Sequence, residues 1–522
     1  MPRRAVRRST PRSADGPPVP GPQFGGPRFG GKATVVPLAA LAATTMLAQG
    51  DQSSLAQAVS GIQHQFGASD QLLGLIPFGM AVCGGIGGIP MGVLSDRGRR
   101  TWLLAAVCAI WAAAMGLGAL AIGIGVLFAA RMVAGAADGT PPVAISLLSD
   151  YFPVRRRSEA MGIYQAGSIA GAFIGLVGGG IAVQLGGWRW AFLIWVPVGL
   201  LVAGWYLFLP EPARGRQDAA FECTVGGAGA TGAAGVPGVA EVTGGAEAGE
   251  VTGGAAAGAV GATGGLEGPD AAALAARGLI SLPEPRRTAP DKVDGQVGAL
   301  RELLRIPTMW FGTMFFTVSQ LLLNGISFWG VEYFERVHHL GPAAAGGLAA
   351  VLGVGSAVGI LSGGMLADRR LRRGHVNARV HVAAYAAIGA TLILAPAFAS
   401  TNLLVSAPLL FAGGILLTMP IAPAEALCTD VVLPQLRGRG VMVRQVVRTA
   451  SWAGPYLIGV ISDLIAPNTA SGLRWAIVAA CPLYALGGLI MLGGARYYPR
   501  DIAYVIAHAR RPTAAAARPV LA

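Results

Sequence analysis

The sequence predicts an all-α membrane protein in which twelve transmembrane helices form two pseudo-symmetric six-helix bundles. Three observations predict this fold: an apolar composition, a series of apolar stretches long enough to cross a bilayer, and a charged loop that occurs twice. Hydrophobic residues make up 53% of the 522 residues and charged residues only 12%, a balance too apolar for a soluble chain of this length. The stretches do not alternate apolar with polar residues, so we expect helices rather than the strands of a β-barrel.

The apolar stretches are predicted as spans because a helix needs about 20 residues to cross the hydrocarbon core. In chain order they lie near residues 34–63, 70–94, 102–122, 124–150, 158–184, 188–209, 307–334, 342–366, 380–399, 403–433, 440–465 and 472–495. The first six predict an N-terminal bundle over residues 34–210, and the last six a C-terminal bundle over 307–498. Residues 1–33 and 499–522 are expected to be cytoplasmic tails, the first of them basic and disordered.

A segment of unusual composition separates the two bundles at residues 211–306. From Gly226 to Gly268 it consists mostly of Gly, Ala, Val and Thr and lacks the large apolar residues that a core requires. We therefore expect a disordered cytoplasmic linker. Its length exceeds what joining two bundles requires, which a neutral insertion and a regulatory segment would both explain.

A charged loop follows the second apolar stretch of each half. It reads Gly-Val-Leu-Ser-Asp-Arg-Gly-Arg-Arg over residues 92–100 and Gly-Met-Leu-Ala-Asp-Arg-Arg over residues 364–370. A second phrase also recurs, because the fourth stretch of each half ends in an acid, Asp150 or Asp430, followed by Pro and then Arg. Matching phrases at matching places indicate an internally duplicated transporter. We expect the loop arginines to pair with these two acids.

The distribution of arginine predicts the orientation in the membrane. Arginines cluster in the loops after spans 2, 4, 8 and 10, whereas the alternate loops are nearly free of Arg and Lys. Both termini are therefore expected in the cytoplasm, with the chain in the plasma membrane. The net charge of +13 lies largely in these loops and in the N-terminal tail, so attraction to anionic lipid explains it better than binding to nucleic acid does.

The sequence does not predict an enzyme, a metal site or a cofactor. The five cysteines have no metal-ligand or redox spacing. The chain also lacks a nucleophile–base constellation and a glycine loop suited to phosphates.

Glycine recurs at every fourth residue on spans 5 and 8. Such stripes let helices approach closely, and we expect these crossings to join the two halves. The glycines are Gly167, Gly171, Gly175 and Gly179 on span 5 and Gly355, Gly359 and Gly363 on span 8.

The repeated loop resembles the signature G-x-L-x-D-R-x-G-R-R of the major facilitator superfamily, with one residue missing between Arg97 and Gly98. The resemblance covers residues 34–498, and it implies that the loop latches the outward-open state by bonding neighbouring helices. The alternative is that the arginines only set the topology. The candidate latch residues are Gly92, Asp96, Arg97, Arg100, Asp150, Asp368, Arg369 and Asp430.

Within that superfamily the sequence resembles the spinster-like branch. The segments that carry the resemblance are Arg131–Asp138 with the following Ser-Asp-Tyr-Phe-Pro, Phe328–His338, and Gly454–Asp463. Asp138 stands where that branch usually has Glu. The resemblance implies proton coupling and gating through Asp51 and Arg131. It also implies an amphiphilic substrate such as a lysophospholipid or sphingosine phosphate.

Ionisable residues inside spans are functional candidates, because each costs several kcal/mol unless it has a partner or faces a cavity. Asp51 on span 1 and Arg131 on span 4 are expected to meet, with Asp51 exchanging the proton and Arg131 holding it ionised until substrate or protonation breaks the pair. The alternative is a static structural pair. Asp138, two turns from Arg131, is either a second relay carboxylate or a neutralising partner.

The second half carries its own polar set. Glu425 on span 10 faces Arg444 and Arg448 on span 11, a net positive group suited to an anionic head group. An inner-gate ion pair and snorkelling to lipid phosphates are the alternatives. Gln320 and Asn324 on span 7 are candidates for hydrogen bonds to substrate or for helix–helix contact. Glu332 and Glu335, near the external surface, are assigned no chemistry, and neither are three histidines there.

The predicted function is secondary active transport of a small amphiphilic substrate by rocking of the two halves, coupled to protons. The predicted partners are that substrate, protons and membrane lipid, with no nucleic acid, and the chain is expected to be a monomer. Transport of drugs or organic anions by the same fold is the alternative. A membrane receptor or scaffold that moves nothing belongs to a different class.

Overall fold

A computed structural model describes residues 32–138, 140–152, 157–212, 301–433 and 436–509. Within these ranges the chain is almost entirely helical and contains no β-strand. Nine helical segments of the described chain are long and apolar enough to cross a membrane. These findings confirm the predicted all-α membrane class.

The N-terminal half places helices at all six of its predicted spans. Their order is α1 (Lys32–Phe66), α2 (Asp70–Arg97), α3 (Arg100–Ala119), α4 (Ile124–Ala137), α5 (Pro141–Tyr151), α6 (Arg157–Gly186), α7 (Trp190–Leu193) and α8 (Trp195–Leu207). Helices α4 and α5 together occupy the fourth span, and α7 and α8 occupy the sixth. The upper end of the bundle is hereafter the end where α1 passes into α2, and the lower end is the one where α2 passes into α3.

The C-terminal half also places helices at all six of its predicted spans. Its helices are α9 (Pro307–His338), α10 (Pro342–Arg372), α11 (Ala378–Ala399), α12 (Leu403–Thr418), α13 (Ile421–Asp430), α14 (Arg437–Arg448), α15 (Gly454–Ile465), α16 (Ala470–Gly494) and α17 (Tyr498–Ala509). A 3₁₀ turn, Thr449–Ala453, joins α14 to α15. Helix α17 lies where the sequence predicts only a tail, and it packs on the lower end of this half.

The fourth span of each half is broken near its middle. In the first half α4 ends at Ala137 and Pro141 opens α5. In the second half α12 ends at Thr418 and Pro420 precedes α13. Proline lacks the N–H that a continuing helix needs, and it is well tolerated where a helix starts. The matching breaks agree with the duplication that the repeated loops predict.

The glycine stripes lie at crossings within each half, so the prediction that they join the halves is wrong. A β-carbon at Gly167, Gly171 or Gly175 would collide with backbone carbonyls of α1. In the second half, a β-carbon at Gly355 or Gly359 of α10 would collide with backbone carbonyls of α12. One at Gly363 would collide with the carbonyl of Met419, the residue that follows α12. Regular spacing shows that a helix face permits close approach, but it does not show which helix approaches.

The two halves meet closely at the upper end. Gly74 of α2 lies against the Pro455 carbonyl of α15, and Gly459 of α15 lies against the Asp70 carbonyl. Beside them, Gly180 of α6 lies against the Pro342 carbonyl of α10. The hydrogen bonds that join described residues of different halves also lie at this end.

Candidate functional site

A buried ion pair joins the first span to the fourth. Nη1 and Nη2 of Arg131 donate to Oδ1 and Oδ2 of Asp51 over 2.9 and 2.7 Å. Arg131 is 0% exposed and Asp51 is 1% exposed. A bidentate pair of this kind is the strong form of a charge-assisted hydrogen bond. The structure therefore brings together the two residues that the sequence analysis paired.

Two apolar groups also contact Arg131. Its guanidinium carbon lies 5.1 Å from the centre of the Phe192 ring, and Nη1 lies 3.2 Å from the sulfur of Met115. Within the described part of the chain, Nε has no hydrogen-bond partner. An uncompensated buried charge is costly, so loss of the Asp51 charge would leave Arg131 in need of another anion.

Asp138 lies at the end of α4, at the break in the fourth span. It interacts electrostatically with Asp51 and Arg131, and also with Tyr164 of α6. Its position beside the pair keeps open both roles that the sequence suggests, a relay and a neutralising charge.

The predicted polar set of the C-terminal half is also assembled. Nη2 of Arg444 lies 2.9 Å from Oε2 of Glu425, and Nη1 of Arg448 lies 2.7 Å from Oε1. The Arg448 guanidinium also lies 4.6 Å from the centre of the Phe316 ring. Nη1 of Arg444 has no hydrogen-bond partner among the described residues. One acid thus faces two arginines, which leaves a net positive charge.

The two polar residues of span 7 are both buried. Nδ2 of Asn324 lies 3.3 Å from the carbonyl and from the hydroxyl of Ser451, in the 3₁₀ turn of span 11. This is the helix–helix contact that the sequence analysis gave as the alternative to substrate binding. Gln320 lies one turn earlier on the same face of α9.

At the lower end, the first copy of the repeated loop forms part of the predicted pairing. Nη1 of Arg100 lies 2.6 Å from Oδ2 of Asp150, and Nε lies 2.9 Å from Oε1 of Glu211. Partial burial acts to raise the pKa of Glu211, but hydrogen bonds from the Thr101 amide and from Arg100 outweigh it and lower that pKa. The surroundings of Gly92 and the side chains of Asp96 and Arg97 lie outside what the structure describes.

In the second half, a different arginine meets the acid. Arg379 of α11 bonds Asp430 and lies 3.7 Å from Asp368, and the Tyr498 hydroxyl donates to Asp430 over 2.9 Å. Arg369, which the loop pattern suggests for this pairing, is exposed. Arg379 lies outside the repeated phrase, so the pattern did not point to it.

A polar network joins the two halves at the upper end and was not predicted from the sequence. Arg336 of α9 binds both carboxylate oxygens of Asp70, over 2.8 and 3.0 Å, and lies 2.5 Å from Oε1 of Glu332. Ser462 of α15 donates to Asp70 over 2.6 Å. An arginine at the end of an apolar span was the available signal, but Arg336 lies just beyond residue 334, where the predicted span 7 ends, and no role was predicted for it.

Comparison with known proteins gives one family match and several partial relatives. The model of the Major Facilitator Superfamily matches residues 41–455. Spinster homolog 1 of Xenopus tropicalis is 27% identical over 228 residues, which are 39% of this chain and 43% of that protein. The puromycin resistance protein of Streptomyces alboniger is 36% identical over 100 residues, 19% of this chain and 20% of that protein. The chain spans less than half the length of these curated relatives.

Among solved structures, the chain is similar to a bacterial homolog of the human lysosomal transporter Spinster in an inward-facing, unoccupied conformation. The TM-score is 0.65 at 20% identity, and the match covers 89% of this chain and 97% of that one. At this identity the likeness concerns the fold. Together with the sequence matches, it agrees with the resemblance to spinster-like proteins.

Proposed function

Because the chain belongs to the major facilitator superfamily, we propose that it is a proton-coupled secondary transporter that moves an amphiphilic, lipid-like substrate. Membership of this family makes the chain a transporter and not an enzyme. The observation that carries the proposal is the buried, bidentate pair of Asp51 and Arg131. A fully buried ion pair is weak evidence for stability, since apolar residues would often stabilise the fold as well. Its presence is better explained by a charge that must change during the cycle.

Asp51 is the proposed proton acceptor. A proton that binds its carboxylate converts it to the neutral acid, and the pair loses its Coulomb attraction. Arg131 cannot lose its own proton, so it is left as a buried cation that an anionic substrate group can neutralise. Release of the proton restores the pair and expels the substrate group. Asp138, beside the pair, is proposed to relay the proton.

The second polar set is proposed to hold the head group from the C-terminal half. Arg444 and Arg448 share a single carboxylate, Glu425, so the group has charge left for a phosphate or carboxylate. Gln320 of span 7 is proposed to add a hydrogen bond, and Asn324 is proposed to do so when it exchanges its contact with Ser451 for the substrate.

The cycle is proposed to be alternating access between two rocking halves. We place the arginine-rich lower end on the cytoplasmic side of the plasma membrane, so that the closed upper end faces outwards. In this orientation the described conformation corresponds to an inward-facing state. The repeated loops are proposed to latch the lower end when it closes. We propose that the chain works as a monomer.

The test is uptake by Asp51→Asn in proteoliposomes under an imposed pH gradient, with lysophosphatidylcholine and sphingosine phosphate as probes. Proton movement is followed with an internal pH dye. We expect gradient-driven uptake to fall by at least about tenfold, which corresponds to about 1.4 kcal/mol, while exchange of substrate without a gradient persists. Uptake that stays at the wild-type level would rule out Asp51 as the coupling residue.

Transport of a drug or organic anion is the second candidate, and the match to a puromycin resistance protein favours it. A thermal-shift screen discriminates the two, because a ligand that binds only the folded state raises Tm. Stabilisation by puromycin without any by the lysolipids would favour the drug transporter.

A further inference from the structure

At the closed upper end, the single arginine Arg336 is surrounded by several carboxylates. Arg336 makes a bidentate contact with Asp70 and a single contact with Oε1 of Glu332. Glu332 is only 2% exposed, and its other oxygen, Oε2, has no hydrogen-bond partner among the described residues. Oε1 of Glu335, less than one turn away, is likewise buried with no hydrogen-bond partner in the described part of the chain, although the same carboxyl group has a hydrogen bond from the Ser60 side chain. One guanidinium therefore faces three carboxylates.

The other charged and titratable groups around the cluster do not remove this excess. From α15, Asp463 adds another carboxylate, which accepts from the Asp70 and Gln71 amides at the start of α2. From α16, Arg474 acts on His338 and Tyr333. From α1, Gln63 and Ser60 supply uncharged groups.

We propose that Glu332 and Glu335 share a proton in this closed state and so form a second proton-binding site, at the gate itself. The inference rests on the proposed transport cycle. Two ionised carboxylates in excess of their one arginine are unfavourable when water is excluded, because neither charge is compensated. A proton on one of them turns it into a hydrogen-bond donor for the other, which also satisfies an oxygen that otherwise lacks a partner.

Opening of the upper end reverses this balance. Glu332 and Glu335 are then exposed to water, in which both carboxylates are ionised at neutral pH. Closing the gate therefore takes up a proton from the outer side, and an acidic exterior favours the closed gate. If closing binds one proton, the ratio of closed to open molecules changes by up to about tenfold per pH unit.

The test measures the gate directly, without transport. Nε2 of Gln63 lies 3.1 Å from Oδ1 of Asn468 across the gate, so the neighbouring exposed positions His64 and Pro467 are close when it is closed. Spin labels at cysteines placed there, with Cys83 and Cys223 replaced by Ala, report open and closed populations in lipid nanodiscs from pH 5 to 8. Each measurement is made with Asp51 present and with Asp51→Asn.

We expect the closed population to rise on acidification in both backgrounds, and the double variant Glu332→Gln, Glu335→Gln to stay closed with the response to pH lost. Glutamine has the size of the protonated acid, and the single variant Glu332→Gln guards against poor folding of the double variant. A response that survives in both variants would overturn the proposal, as would no response in the Asp51→Asn parent. Failure of the coupling role of Asp51 would instead appear only in the uptake experiment.

Discussion

Arg100 and Arg379 occupy equivalent positions in the two halves. Each lies at the start of the third span of its half, and each bonds the carboxylate that ends the fourth span, Asp150 or Asp430. Both arginines are almost fully buried. The duplication thus includes a repeated contact as well as a repeated sequence motif, although Arg100 lies within that motif and Arg379 lies outside it.

Removal of either arginine is expected to destabilise its half. Arg100→Ala or Arg379→Ala removes a buried guanidinium from an ion pair, and breaking such a pair costs about 3–5 kcal/mol. Thermal unfolding in detergent measures the loss as a lower Tm. Arg369→Ala, at an exposed residue, is the matched control and should change stability by less than about 0.5 kcal/mol. Equal losses for Arg369→Ala and Arg379→Ala would contradict the assigned pairing.

The lowered pKa of Glu211 predicts that this residue contributes to stability in a pH-dependent way. Its pKa is lowered in the folded protein, so the carboxylate stabilises the fold above its ordinary pKa of 4.5 and this contribution is lost as pH falls through the lowered value. Wild type should therefore unfold at a higher Tm than Glu211→Gln at pH 7, and the two should converge as the pH falls below 4.5 and through the lowered pKa. A Tm difference that grows on acidification would show that the sign is wrong.

Arg131→Lys is expected to impair transport without unfolding the protein. Lysine keeps the charge but cannot make the bidentate contact with Asp51, and a charge-assisted hydrogen bond is worth about 1.5–3 kcal/mol. Gradient-driven uptake of lysophosphatidylcholine should fall by at least about tenfold. Wild-type uptake by the lysine variant would mean that a point charge is sufficient at this position.

Arg444 and Arg448 are expected to discriminate head groups by charge. Arg448→Ala should weaken binding of anionic lysophosphatidylglycerol more than that of zwitterionic lysophosphatidylcholine, because it leaves Glu425 with one arginine and no spare positive charge. Isothermal titration of the two lipids measures the difference, with Arg372→Ala at an exposed residue as the control. Unchanged binding of the anionic lipid with loss of the zwitterionic one would refute an anion site.

Gly171 is expected to tolerate no side chain. A β-carbon there would collide with the Met46 backbone of α1, and overpacking of this kind typically costs about 1–3 kcal/mol. Gly171→Ala should therefore lower Tm. Gly162→Ala, on the same helix with open space around it, should leave Tm unchanged or slightly higher. Similar effects of the two substitutions would argue against the close crossing of α1 and α6.

The parts of this architecture that depend on composition and local pattern were predictable from the sequence. Long apolar stretches predicted the helices, and the scarcity of charge inside them made Asp51 and Arg131 conspicuous as a pair. The glycine stripes predicted close crossings, but these were expected between the halves and lie within each half, because spacing along one helix carries no information about its neighbour.

Contacts between distant segments were not predictable in the same way. Arg336 and Asp70 are 266 residues apart in the chain. Locally, Asp70 is an ordinary acid in the first turn of a helix, where it favours the helix dipole. Arg379 was missed for a similar reason, since only the packing of α11 against α13 shows that it replaces a loop arginine.

Both ion pairs at the lower end are held by a residue that follows the last span of its half. Glu211, which follows α8, accepts a hydrogen bond from Arg100, and Tyr498, which follows α16, donates one to Asp430. The unit that was copied is therefore longer than six membrane crossings, because it includes the short stretch behind them. A fragment meant to fold as an isolated half has to keep that stretch, and a cut made at the membrane boundary would remove that hydrogen bond from its own ion pair.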